Sequence, residues 1–194
     1  MNIRLVSLLL ACVLIAASSP ALGQECTIAA YADAAGTQSE AAISNWQLDV
    51  AEFSIYIVMF VESTANAAAY KATFSGFDNG GWFLQSRVQG SSGQGLFIDE
   101  NPASVGTNVA LGECVVGFGG VPVLVEEYQY LVLMGYDGGQ SVVLSANTNQ
   151  DPDAPVYVPC SSTKRQCEVG PEFYVSWIFS AGKSSFGQIK SLYN

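Results

Sequence analysis

The apolar residues of this chain recur at a period of two. In Tyr70-Lys71-Ala72-Thr73-Phe74-Ser75, the residues Tyr70, Ala72 and Phe74 fall on one side. Further on, Phe173, Val175, Trp177 and Phe179 share one side, and Tyr174, Ser176 and Ile178 the other. Successive side chains of a strand point to opposite faces, whereas a helix repeats every 3.6 residues, so this pattern predicts half-buried strands. Two runs, 53–61 and 128–134, are apolar nearly throughout and read as central strands covered on both faces. Further strands are expected at 27–32, 82–88, 108–116, 141–146 and 156–158, with a short one at 96–98. Turn signals separate them, among them Asp78-Asn79-Gly80-Gly81, Asn101-Pro102 and Asp137-Gly138-Gly139. Eight or nine short strands, with no helices alternating between them, predict an all-β, antiparallel β-sandwich. One stretch competes. Thr37-x-x-Glu40 fits a capping box, and Ile43, Trp46 and Val50 recur at helical spacing, so 37–50 reads equally as one helix or a covering loop.

Residues 1–23 read as a secretory signal peptide. Arg4 precedes an apolar run at 5–17, Pro20 breaks it, and Ala21 and Gly23 supply small residues before cleavage. The run is well short of the roughly 20 residues of a membrane-spanning helix. The mature chain divides into a sandwich domain at 24–181 and a linker and tail at 182–194. A chain of this length can bury about 70% of its unfolded surface in one domain.

Composition removes several functions. The chain has no histidine, which excludes a Ser-His-Asp triad, a Cys-His dyad and imidazole metal ligands. Its net charge of −10 opposes the basic footprint of a nucleic-acid binder, and loss of Arg4 makes it more negative by one. Cys12 leaves with the signal. Cys26, Cys114, Cys160 and Cys167 remain, an even count that reads as two disulfides in an oxidising compartment. Three pairings exist. The short polar loop between Cys160 and Cys167 favours a bridge there and, by exclusion, Cys26–Cys114. On the loop-entropy model these would contribute roughly 2.5 and about 4.6 kcal/mol. A zinc site is disfavoured, because no Cys-x-x-Cys occurs.

The remaining chemistry is limited. Glycoside hydrolysis needs two carboxylates flanking the bond, and Asp99, Glu100, Glu126 and Glu127 are the candidates. Adjacent strand residues face opposite ways, so Glu126 and Glu127 do not make that pair alone. These acids read more simply as solvated charge at strand edges. Asn147, Asn149, Asp151 and Asp153 alternate in one loop, as oxygen ligands for calcium would. Pro152 and Val158 stand where a helix–loop–helix site needs Gly and Glu, and an ordinary Asx-rich turn explains the loop as well. An exposed tryptophan could stack on a sugar ring. Trp46, Trp82 and Trp177 are candidates against the simpler reading of core packing, and Trp82, after a glycine turn, is the one expected at the surface. In the tail Phe186, Ile189 and Tyr193 share a helical face that could dock a partner, or they belong to a frayed terminus.

The order of the runs resembles the cohesin-type sandwich and related carbohydrate-binding modules. The residues that carry it are 52–61, 67–76, 121–134 and 141–146, a pattern over about 50–147. A second resemblance is to small exported bacterial proteins. It rests on Tyr31-Ala32-Asp33-Ala34-Ala35-Gly36-Thr37-Gln38, on Asn108-Val109-Ala110-Leu111-Gly112-Glu113-Cys114 and on a cysteine-bearing hairpin near the end. Their recurrent ending, Thr-Trp-Gly-x-Ile-Lys-x-Leu-Tyr, is similar to 184–194 with Phe186 in place of the tryptophan. The first resemblance implies a sandwich that binds, and the second implies no activity. The expectation is a secreted, non-enzymatic binding or assembly module at the cell envelope, its partner a glycan or an envelope protein. The alternatives are a structural exoprotein whose tail directs export or surface attachment, and a carboxylate glycosidase. Nucleic acid and a membrane span after cleavage are not expected.

Overall fold

The structure is a computed structural model that describes residues 25–43, 51–77, 81–90, 96–101, 106–132, 139–161 and 163–177. The expected signal peptide, Trp46 and the tail residues Phe186, Ile189 and Tyr193 lie outside them. The described residues form strands β1 (Cys26–Tyr31), β2 (Glu40–Ile43), β3 (Ala51–Val61), β4 (Thr64–Ser75), β5 (Trp82–Gln89), β6 (Leu96–Asn101) and β7 (Gly106–Val116). The remainder are β8 (Pro122–Val132), β9 (Gln140–Ser145), β10 (Val156–Val158), β11 (Arg165–Gln166), β12 (Glu168–Val169) and β13 (Phe173–Trp177). Among the described residues no helix is long and apolar enough to cross a membrane.

The strands make a two-sheet sandwich. One sheet has the order β12-β1-β3-β8-β5. The other runs β11-β10-β4-β9-β13-β2, with β7 paired to β4 and β6 to β7. The expected central strands are central: β3 lies between β1 and β8, and β8 between β3 and β5. Ile55, Ile57, Met59 and Val61 of β3 are buried between the sheets, and Val58 packs with Ala29 and Tyr31 on the outer face. The alternation at the C-terminal end also holds, with Phe173 and Val175 buried and Tyr174 exposed. Two pairings depart from the antiparallel expectation, since β1–β12 and β13–β2 are parallel.

The stretch from Thr37 is neither a helix nor a plain loop at its start. Glu40–Ile43 is a strand, in register with β13 from Tyr174↔Glu40 to Trp177↔Ile43. Residues 44–50 are not among those described. Thr37 does not cap a helix, because its amide and hydroxyl both donate to the carboxylate of Asp33, which also accepts from the Gln38 amide at 2.8 Å. Desolvation raises the Asp33 carboxyl, but these bonds together outweigh it and hold the group below the usual range. Gly36 closes the loop at φ 66, where a Cβ would stand 2.7 Å from the Phe60 ring. Both the left-handed backbone and the close approach therefore require glycine. Past the end of β1 at Tyr31, the rest of the motif to Gln38 is thus a self-capped loop folded over the outer face of β3.

The disulfides are Cys26–Cys167 and Cys114–Cys160, which overturns the expected pairing. The short loop misleads because β11 folds back on β10 with Val156↔Gln166 and Tyr157↔Arg165. That register sets Cys167 opposite Pro155, and the Cys167 amide donates to the Pro155 carbonyl at 2.8 Å. Cys160 lies five positions past Pro155, on the order of 16 Å along a strand and beyond disulfide reach. β12 instead runs beside β1, with Thr27↔Glu168, and brings Cys167 to Cys26.

Candidate functional site

Two β-bulges aim a charged pair into the sandwich. On β8 the inward residues are Val123 and Val125, and then Glu126, Tyr128, Tyr130 and Val132. The phase changes where the β3 register slips between Ile57 and Val58. On β5 the register slips between Leu84 and Ser86, so Arg87 rather than Ser86 shares the face of Trp82 and Leu84. Bulges characteristically redirect a side chain in this way. Here they bring Arg87 against Glu126, whose carboxylate is fully buried.

Glu126 is held from both sheets. The Arg87 Nε donates to its Oε1, and the hydroxyls of Tyr70 from β4 and Tyr128 donate to Oε2, the latter at 2.9 Å. The Arg87 Nη2 reaches the Thr107 hydroxyl on β7 at 3.1 Å, and its guanidinium lies 5.3 Å from the centre of the Tyr128 ring. Burial pushes Glu126 above the ordinary carboxylate range against the pull of Arg87 and the two phenols. Burial, reinforced by the charge of Glu126, raises Tyr70 and Tyr128 strongly and pushes Tyr130 up to about 12. Desolvation would lower Arg87, but its bond to Glu126 outweighs that and holds it above its usual value. Each member is tied to the others, as a buried ion pair requires.

Above this network lies a groove of about 460 Å³. Lys71–Phe74 of β4 form one wall, Leu84 and Arg87 of β5 the other, and Tyr128 and Tyr130 the floor. Both walls are strand edges. Among the described residues β5 pairs only with β8, and Lys71–Ser75 pair only with β9. Three large apolar side chains of β5 are exposed: Phe83 at 47%, Leu84 at 52% and Val88 at 41%.

The residues singled out from the sequence fare differently. Glu126 is not solvated edge charge but the buried centre of the network. Glu127 does face the other way, accepting from Ser54 at 2.8 Å and from Gln129 at 3.2 Å. Asp99 and Glu100 lie on β6 opposite Asn108 and Thr107, and their side chains are outside the described set, as is that of Trp177. Trp82 is buried rather than exposed, packed edge-on against Phe53, Phe77 and Tyr130. It opens an edge strand, yet its position in the alternation points it between the sheets. In the acidic loop, the Asn147 side-chain Oδ1 accepts from the Asn149 amide at 3.1 Å, and the Asp151 carboxylate accepts from the Asp153 amide at 3.0 Å. Asn147 is buried and also donates to the Asn108 side chain at 3.2 Å. Those oxygens are engaged in Asx turns. Among the described residues no group of three or more His, Cys, Asp or Glu is placed to hold a metal ion. Sequence reasoning missed Arg87, Tyr70, Tyr128 and Thr107. The one available signal was an arginine in an otherwise uncharged strand.

No protein-family model matches the chain, and no curated protein matches it in sequence. Solved structures similar to it are cohesin modules. A non-cellulosomal cohesin from Archaeoglobus fulgidus is 8% identical over 79% of this chain and 91% of its own, with a TM-score of 0.46. A cohesin module from a Clostridium perfringens family 33 glycoside hydrolase is 6% identical over 80% of this chain and all of its own, TM-score 0.46. A type II cohesin domain from the Acetivibrio cellulolyticus cellulosome is 9% identical over 77% and 94%, TM-score 0.46.

Proposed function

We propose that this protein is an exported, non-enzymatic binding module that holds an extended segment of a partner protein along β5. The observation that carries this reading is an edge that is unguarded among the described residues. Soluble proteins blunt exposed strand edges with charge or proline, because unpaired amides and carbonyls template further strands. β5 reads Trp-Phe-Leu-Gln-Ser-Arg-Val-Gln, with no proline, lysine or acid, and its one charge points inward. The bulge at Gln85 kinks this edge but leaves regular stretches on each side. Main-chain bonds to such an edge supply affinity, and pockets for alternate side chains supply selectivity. The groove beside Leu84 is such a pocket.

The occupant is apolar, to match Phe83, Leu84 and Val88 exposed along β5. A second copy of the chain would set a charge of −10 against another −10. The two disulfides and the expected signal peptide support an exported setting. The tail remains a proposed attachment element, tested by deleting 184–194 and following where the protein is retained. Burial of Trp82 removes the tryptophan expected to form a glycan platform.

The test is a library of extended peptides with alternating apolar side chains, screened by fluorescence polarisation and mapped by amide chemical shifts. Binders that shift the Trp82–Gln89 amides and are lost with Phe83→Lys and Val88→Lys support the reading. Binders that map to another surface, absence of any binder, or self-association through β5 in light scattering would each overturn it.

A further inference from the structure

The two disulfides differ in access. Cys26 and Cys167 are each 2% exposed and belong to the core between the sheets. Cys114 is exposed on the outer face of β7, and Cys160 is half-buried just past β10. Both border a surface hollow of about 550 Å³, with Asn66 and Ala67 of β4, and Gly112 and Glu113 of β7. The β4 register slips between Ala65 and Ala67, beside this hollow. Among the described residues the rest of the lining holds no aromatic or large apolar side chain. Exchange needs a thiolate to reach a disulfide sulfur, so access as well as redox potential decides which bridge reacts.

We propose that Cys114–Cys160 is a site of thiol–disulfide exchange for small thiols, while Cys26–Cys167 stays closed in the folded protein. The thiolate of the incoming molecule attacks Sγ of Cys114, the more exposed partner. A new bond forms between the two sulfurs as the Cys114–Cys160 bond breaks, and Cys160 leaves as a thiolate that takes a proton from water. No external oxidant or reductant is needed, since one disulfide and one thiol are exchanged for another of each. Cys160 stays near β4, where its amide donates to the Thr64 hydroxyl at 3.3 Å, ready to reverse the reaction. The site also selects by charge. Glu113 lines the same hollow as the reacting sulfur, and the chain carries −10. An anionic thiol is therefore repelled relative to a cationic one. For charges on the order of 7 Å apart in a water-like dielectric, two units of charge difference correspond to roughly a five- to ten-fold difference in rate.

The test treats the folded full chain with cysteamine or with glutathione at equal thiolate concentration, quenches with an alkylating agent and maps peptides by mass. The expected product carries one mixed disulfide at Cys114 and one alkylated Cys160, with Cys26–Cys167 intact. Cysteamine should react faster, and added salt should narrow the gap. Equal reaction of both bridges, a rate that rises with sub-denaturing urea in step with unfolding, or faster reaction with glutathione would overturn the proposal. A Cys114→Ser/Cys160→Ser variant should form no adduct. Should that variant fail to fold, the urea dependence of the unmodified protein decides alone.

Discussion

Replacing Arg87 with Met tests the buried network and the sign of its pH dependence together. The substitution keeps most of the side-chain volume and removes the positive charge. Glu126, fully buried, then keeps two phenol donors but no counter-charge. Breaking a buried pair by removing one partner costs about 3–5 kcal/mol, a large part of the 5–15 kcal/mol typical of a domain. The loss must depend on pH. Burial already sets Glu126 above its unfolded value. The folded chain therefore binds this proton more tightly than the unfolded chain does. The stability from that proton is fully present below the unfolded pKa and is lost as pH rises through the folded one. Without Arg87 the folded value rises further and the window widens upward. At pH 7.5 the variant should lose about 4 kcal/mol. At pH 4 much of the charge penalty is gone, and the loss falls to roughly 1–2 kcal/mol, close to that of the Thr107 hydrogen bond and local packing. Urea unfolding followed by tryptophan fluorescence at both pH values reads this difference directly. Arg87→Met/Glu126→Gln should recover at least half of the loss at pH 7.5, because the amide still accepts from a tyrosine. Equal losses at the two pH values, or a loss below about 1 kcal/mol at pH 7.5, would refute the reasoning.

The disulfide order gives a second prediction. With separations of 141 and 46 residues, loop entropy assigns about 5 kcal/mol to Cys26–Cys167 and about 4 kcal/mol to Cys114–Cys160. Paired Cys→Ser variants should rank in that order by urea midpoint, and the reverse order would count against the entropic account. Trp82→Ala should destabilise by roughly 3–5 kcal/mol, the loss of a core aromatic, where a surface tryptophan would cost almost nothing. Millimolar calcium should leave the melting temperature unchanged, since Asn147 and Asp151 already accept amides of their own loop. A rise of several degrees would reopen that loop as a cation site.

Alternation was a reliable guide where a strand is regular and long. The 53–61 run became β3, flanked on both sides, and the Phe173 and Val175 face is buried as the pattern requires. It failed where pairing is imposed from a distance. β2 spans four residues of Glu-Ala-Ala-Ile, which alone favour a helix as much as a strand, and only its neighbour β13 makes it one. The two-residue strands β11 and β12 have no pattern of their own. Yet they decide the disulfides, because the β10–β11 register carries Cys167 away from Cys160 and β12 lays it beside Cys26.

The network was hidden for a related reason. Counting by twos from Val123 and Val125 puts Glu127 inside and Glu126 in water; counting back from Val132 puts Glu126 inside. Both counts hold on their own side of the bulge, and nothing local says where one hands over to the other. The same ambiguity affects Arg87, which lies in phase with Trp82 only if Gln85 is skipped. Each bulge alone would bury one unpaired charge, at a penalty of several kcal/mol. Together they bury a pair whose remaining atoms are met by Tyr70, Tyr128 and Thr107. The two slips are therefore energetically coupled, and a substitution that straightened one strand would make the other slip unfavourable. That coupling also keeps β5 bent at Gln85, so the network that joins the sheets also shapes the edge proposed to receive a partner strand.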